Sequence, residues 1–313
     1  MIKKAFFYSK ILLFGEYGII KDSMGLSVPY TSYQGELKMD MDNPVKAKES
    51  NLHLRNYLEH LEQLDQNGEL EVPLDLKAFR KDVEAGISFD STIPQGFGVG
   101  SSGALVAAVY DKYALDKIDA EATPVSKDQI VQLKKYFGLM EKYFHGTSSG
   151  IDPLICYLKL PLLIRSKEDL ESIGLPDYSN GEGAIFLLNS GQPGETQPMI
   201  NIFMEKMKHD GFRNMLRSEF KKYNDACIQA FIDRDISPLF TNLKELSKLV
   251  LDNFKPMIPS VFHNLWKQGI DTNAYYLKLC GSGGGGFILG FTKDLNKAKE
   301  LLKDHDLEVI YRF

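Results

Sequence analysis

Apolar side chains come early and in two different rhythms. Residues 5–14, AFFYSKILLF, are dense in aromatic and aliphatic side chains, as a buried strand should be, and Gly15 and Gly18 break the run. Further strand-like pieces lie across 26–40. The rhythm then changes. Leu52, Leu54, Leu58, Leu61 and Leu64 recur at mostly helical spacing and predict a helix over 51–65. A polar turn at 66–73 leads to a short helix around 74–82. Ile87, Phe89 and Ile93 alternate, apart from Ser91, and predict a half-buried strand at 86–93. The apolar run ALVAAVYDKYAL, from Ala104, reads as a helix. Another is expected over 126–143, where Ser126 and Gln129 form a capping-box pattern. Its buried face is marked by Ile130, Leu133, Phe137, Met140 and Phe144. A loop follows at 145–152, and Pro153 suits the first position of a further helix.

The second half repeats neither rhythm for long. A strand at 184–189 (AIFLLN) is followed by three or so helices across 197–268. Then come strand, glycine turn and strand at 274–291, a helix at 293–303 and a strand at 307–312. Such mixing predicts an α+β fold closed by an α/β sandwich. A domain boundary is expected between 160 and 185, giving domains of 1–170 and 171–313.

Composition narrows the function classes. A chain of 313 residues has room for two packed domains. The net charge of −5 leaves no electrostatic footprint for nucleic acid. Any phosphate would be held by a local positive field. Cys156, Cys227 and Cys280 give neither a disulfide framework nor metal-ligand spacing, and Cys156 and Cys280 sit in apolar runs as small core residues. Ser9, Lys10 and Glu16 interrupt the apolar N-terminal stretch, and no run approaches the roughly 20 residues of a spanning helix. The expectation is a cytoplasmic protein without a membrane partner.

Three segments carry candidate chemistry. In PQGFGVGSSGA, Gly96, Gly98 and Gly100 alternate, and Ser101 and Ser102 fall where a helix begins. Glycines admit close backbone approach, and a helix start offers unpaired amides and a positive dipole end. Ser102 could also reach a phosphate-bound magnesium. No Gly-Lys-Ser/Thr triplet follows, and the spacing is not that of the dinucleotide fingerprint. A serine-capped glycine turn would read the same way. In KLCGSGGGGF, four consecutive glycines exceed the needs of a hairpin and suggest close backbone approach or a moving loop. In the third segment Glu141 precedes HGTSSGID. Glu141 alone could be a solvated helix-surface carboxylate. Asp152 alone could be a helix N-cap before Pro153. His145 has no partner histidine that would argue for a metal site.

Taken together, YSKILLFGEYGII, PQGFGVGSSGA and KLCGSGGGGF resemble, in order, the three motifs of the GHMP kinases, named for galactokinase, homoserine, mevalonate and phosphomevalonate kinases. The motifs span nearly the whole chain. Glu141 and Asp152 have the separation seen in the mevalonate kinases, the most similar branch. The resemblance implies a two-domain α+β fold: an N-terminal α/β domain of ribosomal S5-like, left-handed-crossover topology, and a C-terminal ferredoxin-like α/β sandwich. It implies ATP and magnesium as cofactors, and mevalonate or a close relative as the small-molecule substrate, phosphorylated at its primary hydroxyl. It also allows a homodimer.

The same resemblance assigns roles. Lys10 would stand near the transferred phosphate, and Asp152 would face the substrate hydroxyl. Gly96, Gly98, Gly100, Ser101, Ser102 and Gly103 would form the phosphate loop, with Ser102 and Glu141 as magnesium ligands. Glu16, His145, Gly281 and Ser282 would lie on the substrate side. The sequence departs from the family pattern in three places. Tyr8-Ser9-Lys10 stands for Pro-Gly-Lys, Tyr17 for a common histidine, and Gly194-Glu195 where mevalonate kinases often carry a basic residue. These departures bear on the substrate more than on the nucleotide.

Overall fold

A computed structural model describes residues 5–120, 124–166, 168–176 and 181–313. The chain divides into two compact units, each assembled from separated stretches. The first takes the chain up to Lys10, then Pro29–Pro94 and Gly100–Leu160. The second takes Ile11–Val28, Gln95–Val99 and Pro161–Phe313. Strands β1 (Phe7–Phe14) and β2 (Gly25–Lys38) therefore carry residues of both. β2 is one long strand where the sequence suggested pieces.

In the first unit, α1 spans Pro44–Gln66 and starts well before the expected 51. Its start is set by capping: the Asn43 side chain accepts from the amides of Val45 and Lys46, both at 3.1 Å, and Pro44 fits the first helical position. The apolar spacing reports only the buried face, which is Leu54, Tyr57, Leu58 and Leu61, while Leu52 faces solvent. α2 (Leu76–Glu84) is capped by Asp75. β3 is shorter than expected, Ser88–Ser91, and pairs antiparallel with Gly35–Lys38 of β2. Ile87 and Ile93 are buried just outside this ladder, so their alternation marked burial rather than strand length.

α3 (Ser101–Tyr113) is buried on nearly all sides, as its uniformly apolar sequence requires. α4 (Lys127–His145) starts at the expected capping box, with both reciprocal bonds formed. α5 spans Ile151–Leu158. Rings from the three helices meet edge-on: Tyr110 and Phe137 at 5.1 Å, Tyr110 and Tyr157 at 5.2 Å, Phe137 and Tyr157 at 5.5 Å. Two expectations fail at α5. Pro153 is its third residue, and the N-cap is Gly150, whose φ of 73° turns the chain into the helix early. Asp152 is the second helical residue and caps nothing.

In the second unit, β4 (Leu162–Ile164) pairs with Gly25–Ser27 of β2 and with β5 (Leu170–Ser172). Three-residue strands are too short to show alternation, and neither was expected. β6 (Ala184–Asn189) stands where predicted. The following region holds more helices than expected: α6 (Thr196–Lys206), α7 (Asp210–Met215), α8 (Lys221–Ile232), α9 (Ile236–Asn253) and α10 (His263–Thr272). A π-helical turn, Leu216–Phe220, joins α7 to α8. β7 (Tyr276–Leu279) and β8 (Phe287–Thr292) flank the glycine loop, and α11 (Leu295–Leu301) and β9 (Leu307–Arg312) end the chain. The sheet is antiparallel in the order β7-β8-β6-β9. Among the described residues no helix is long and apolar enough to cross a membrane.

Candidate active site

Two glycines of the first unit let backbone and side chains converge at the start of α3. Gly100 precedes the helix with φ of 84°, and a Cβ there would stand 2.8 Å from Cγ of Lys10. A Cβ at Gly103 would stand 2.9 Å from the carbonyl carbon of Asp152. Any other residue at these positions would push Lys10 or α5 away. With both glycines in place, Lys10 Nζ reaches Asp152 Oδ2 at 2.9 Å. The N-cap Gly100 makes no side-chain cap bond, and the first-turn amides of a helix have no partner within it. The Lys10 side chain is only 4% exposed, whereas that of Asp152 is 40% exposed.

Ser102, on the first turn of α3, donates to Glu141 Oε1 at 3.1 Å. Glu141 lies on α4 and is buried, which removes the reading of a solvated surface carboxylate. Its other oxygen accepts from the Ser148 hydroxyl, and that hydroxyl accepts from the Gly150 amide at 3.0 Å. His145 Nε2 lies 3.0 Å from Ser102 Oγ. Burial raises Glu141 to a pKa of about 7. The charge on Asp152 adds to the rise, while the hydroxyls of Ser148 and Ser102 and the charge on Lys10 oppose it. Burial lowers the pKa of His145; Asp152 opposes this and Lys10 assists it.

A buried carboxylate that resists ionisation, beside a serine oxygen, is a site a hard cation would relieve. Oxygen donors of this kind suit magnesium, which uses one or two carboxylates together with substrate phosphates. The described residues contain no group of three or more His, Cys, Asp or Glu that could hold a metal alone. All three cysteines are buried, Cys156 and Cys280 as expected of core residues.

The second unit holds the remaining candidates. The loop carrying Gly96 and Gly98 is stitched to two others: Gly96 O accepts from the Gly194 amide at 2.7 Å, and Phe97 O from the Phe287 amide at 3.4 Å. Glu16 is buried in an ion pair with Lys278 of β7. Tyr17, with φ of 57°, donates its hydroxyl to Ser282 O at 2.8 Å and stacks on Phe203 at 4.6 Å between centroids. The loop with Gly281 and Ser282 is further held by Gly284 N on Met257 O and Gly286 N on Gln192 O, both at 2.7 Å. The four glycines thus form a pinned loop rather than a loose hairpin.

Residues 62–159 match the family model described as GHMP kinases N terminal domain. This stretch contains Gly100, Ser102, Glu141, His145 and Asp152. Over those residues the chain is similar to a GHMP kinase N-terminal domain.

Solved structures of that superfamily align with the chain almost end to end. Mevalonate kinase of L. major, in complex with R-mevalonate, is 14% identical with a TM-score of 0.60, covering 100% of this chain and 98% of its own. Phosphomevalonate kinase of Streptococcus pneumoniae, in complex with phosphomevalonate and AMPPNP, is 16% identical at 0.64, covering 99% of each. Galactokinase of Lactococcus lactis, complexed with galactose, is 13% identical at 0.66, covering 98% and 93%. At these identities the likeness speaks for the fold, an α+β GHMP kinase fold with two sheets. No curated protein matches the chain by sequence.

Within the first unit, Lys10 joins Gly100, Ser102, Gly103, Glu141, His145 and Asp152 in one cluster, and Ser101 opens α3 beside them. Two expected substrate-side residues have other partners: Glu16 is taken up by Lys278, and His145 by Ser102. Two residues escaped the sequence reading. Ser148 was hidden among small polar neighbours in HGTSSGID and carried no signal of its own. Lys278 did carry one: a lone charge inside the apolar run of β7, which a buried strand tolerates only when the charge is paired.

Proposed function

We propose that the protein is an ATP-dependent small-molecule kinase that phosphorylates an alcohol, with the primary hydroxyl of mevalonate as the first candidate acceptor. The observation that carries this reading is the Lys10–Asp152 pair beside the start of α3, whose Ser102 donates to Glu141. The first-turn amides of α3 would receive phosphate oxygens. Lys10 would place a fixed positive charge beside the transferring group and hold Asp152 in orientation. Asp152, the more exposed partner, would accept a hydrogen bond from the acceptor hydroxyl and take its proton as the new P–O bond forms and ADP leaves. Bound magnesium, held by Ser102 and Glu141, would neutralise phosphate oxygens. Phosphoryl transfer has a loose transition state, so positioning and charge carry most of the catalysis and a weak proton acceptor suffices.

The Glu141-to-Asp152 spacing supports mevalonate within this class. The fold likeness ranks no substrate, since kinases of three different substrates align about equally well. The deciding experiment is a coupled ADP-release assay with mevalonate, phosphomevalonate, homoserine and galactose. Turnover of mevalonate above the other three is expected. Robust turnover of phosphomevalonate with none of mevalonate would sink the substrate assignment, and no turnover of any would sink the kinase reading.

A further inference from the structure

We infer that His145 is a positioning residue whose Nε2–H fixes the Ser102 hydroxyl, leaving that oxygen a single lone pair for a hard cation. The inference rests on the kinase reading above for the identity of the cation, but its geometry is independent of it. A serine hydroxyl has one proton and two lone pairs. Ser102 Oγ has two partners, Glu141 Oε1 at 3.1 Å and His145 Nε2 at 3.0 Å. In its ionised form, the form that can hold a cation, Glu141 only accepts, so the proton of Ser102 goes to it. The contact with His145 must then run the other way, from Nε2–H to Oγ. One lone pair of Ser102 is consumed and one remains.

Two consequences follow. The imidazole nitrogen that faces the site carries a proton, so it has no lone pair with which to ligate a metal. The local donor set is therefore oxygen only, which favours magnesium over softer, imidazole-seeking ions. Second, the hydroxyl is held from two sides and cannot rotate between staggered wells. Glu141 is held in the same manner, since Ser102 and Ser148 each occupy one of its oxygens. His145 thus completes a ring of support around both oxygen donors without touching the cation. Partners of this kind typically contribute about 10- to 100-fold to metal affinity.

The first test needs neither metal nor substrate. Nitrogen-15 NMR of the imidazoles in the metal-free protein at pH 9, where Glu141 is ionised, with the His145 signals assigned by their loss in His145→Gln, should show the Nε2–H tautomer. An Nδ1–H tautomer would mean that Ser102 donates to His145, and would overturn the inference. The second test uses variants and magnesium with ADP as the probe, read by calorimetry. Glutamine can place an amide N–H near the Nε2 position; asparagine places one nearer Nδ1. His145→Gln should stay within about 3-fold of wild-type affinity, while His145→Asn should lose roughly 10-fold or more. The asparagine loss should vanish when Ser102→Ala is already present, and an undiminished loss in that background would refute action through Ser102. Failure of the kinase reading would show separately, as absence of turnover with an unchanged tautomer.

Discussion

Lys10 Nζ stands 2.9 Å from Asp152 Oδ2, and the two residues of this pair are not equivalent. The lysine side chain is buried and committed by the fold, while the aspartate side chain reaches solvent. A buried ammonium needs a nearby anion, which anchors Asp152 at one oxygen and leaves the carboxylate open toward an incoming group. The glycine at position 100 makes room for the lysine stem that holds the pair in place.

Asp152→Asn should therefore separate chemistry from structure. Gly150, not Asp152, caps α5, so the change removes no cap. We expect turnover to fall by about 10²- to 10⁴-fold, the range for a positioned proton acceptor. The melting temperature should fall modestly, because the buried Lys10 ammonium loses its anionic partner while Glu141 is relieved of a neighbouring like charge. Near-normal turnover at saturating ATP and acceptor would remove Asp152 from the mechanism.

Gly100→Ala tests the glycine that seats Lys10. Alanine at φ of 84° is strained, and its methyl would meet the lysine stem. A destabilisation of about 1–3 kcal/mol is expected in urea titration, with a loss of turnover. Gly86→Ala is the control: φ is 96°, but nothing lies within 4 Å of its added Cβ. It should show backbone strain alone and keep its turnover. Equal turnover in the two variants would refute the seating role.

Glu141 should make stability depend on pH. Its folded-state pKa, about 7, lies above the ordinary 4.5, so the native protein binds this proton more tightly than the unfolded chain. The resulting stabilisation is fully present below the ordinary value and is lost as pH rises through the folded one. Metal-free wild type should lose up to about 3 kcal/mol from this group between pH 5 and pH 8. Glu141→Gln should lack that component and be the more stable protein at the upper end, while binding magnesium with ADP more weakly. Thermal melts of both proteins across this pH range provide the measurement, and parallel curves would contradict the assignment.

The buried Glu16–Lys278 pair should show strong coupling. Lys278→Met leaves a buried carboxylate without its cation and should cost about 3–5 kcal/mol. Adding Glu16→Leu removes the stranded charge and should restore most of that loss. Denaturant unfolding of the two single variants and the double variant closes the cycle. Additive losses would mean that the two side chains do not depend on each other.

Features governed by short-range rules could be read directly from the chain. The capping box at Ser126 and Gln129, the buried face of α4, the strand β6 and the closing strand β9 follow from patterns a few residues long. The three glycine and acidic segments each allowed an ordinary structural reading, and only their order along the chain carried the family likeness. Their family likeness also foretold the α+β fold. Where a local reading failed, a competing local signal had been overlooked, as with Asn43 and Pro44 at the start of α1 and Gly150 at the start of α5. Which polar residues are buried, and with whom, follows from the folded arrangement alone. Glu141 reads as an ordinary helix-surface carboxylate until α3 and the turn after α4 close over it. Glu16 and Lys278 are 262 positions apart, and Lys10 finds Asp152 only because two glycines admit the approach. Side-chain periodicity reaches about one turn of helix, whereas ion pairing depends on distance and exclusion of water, and these exist only once the chain has folded.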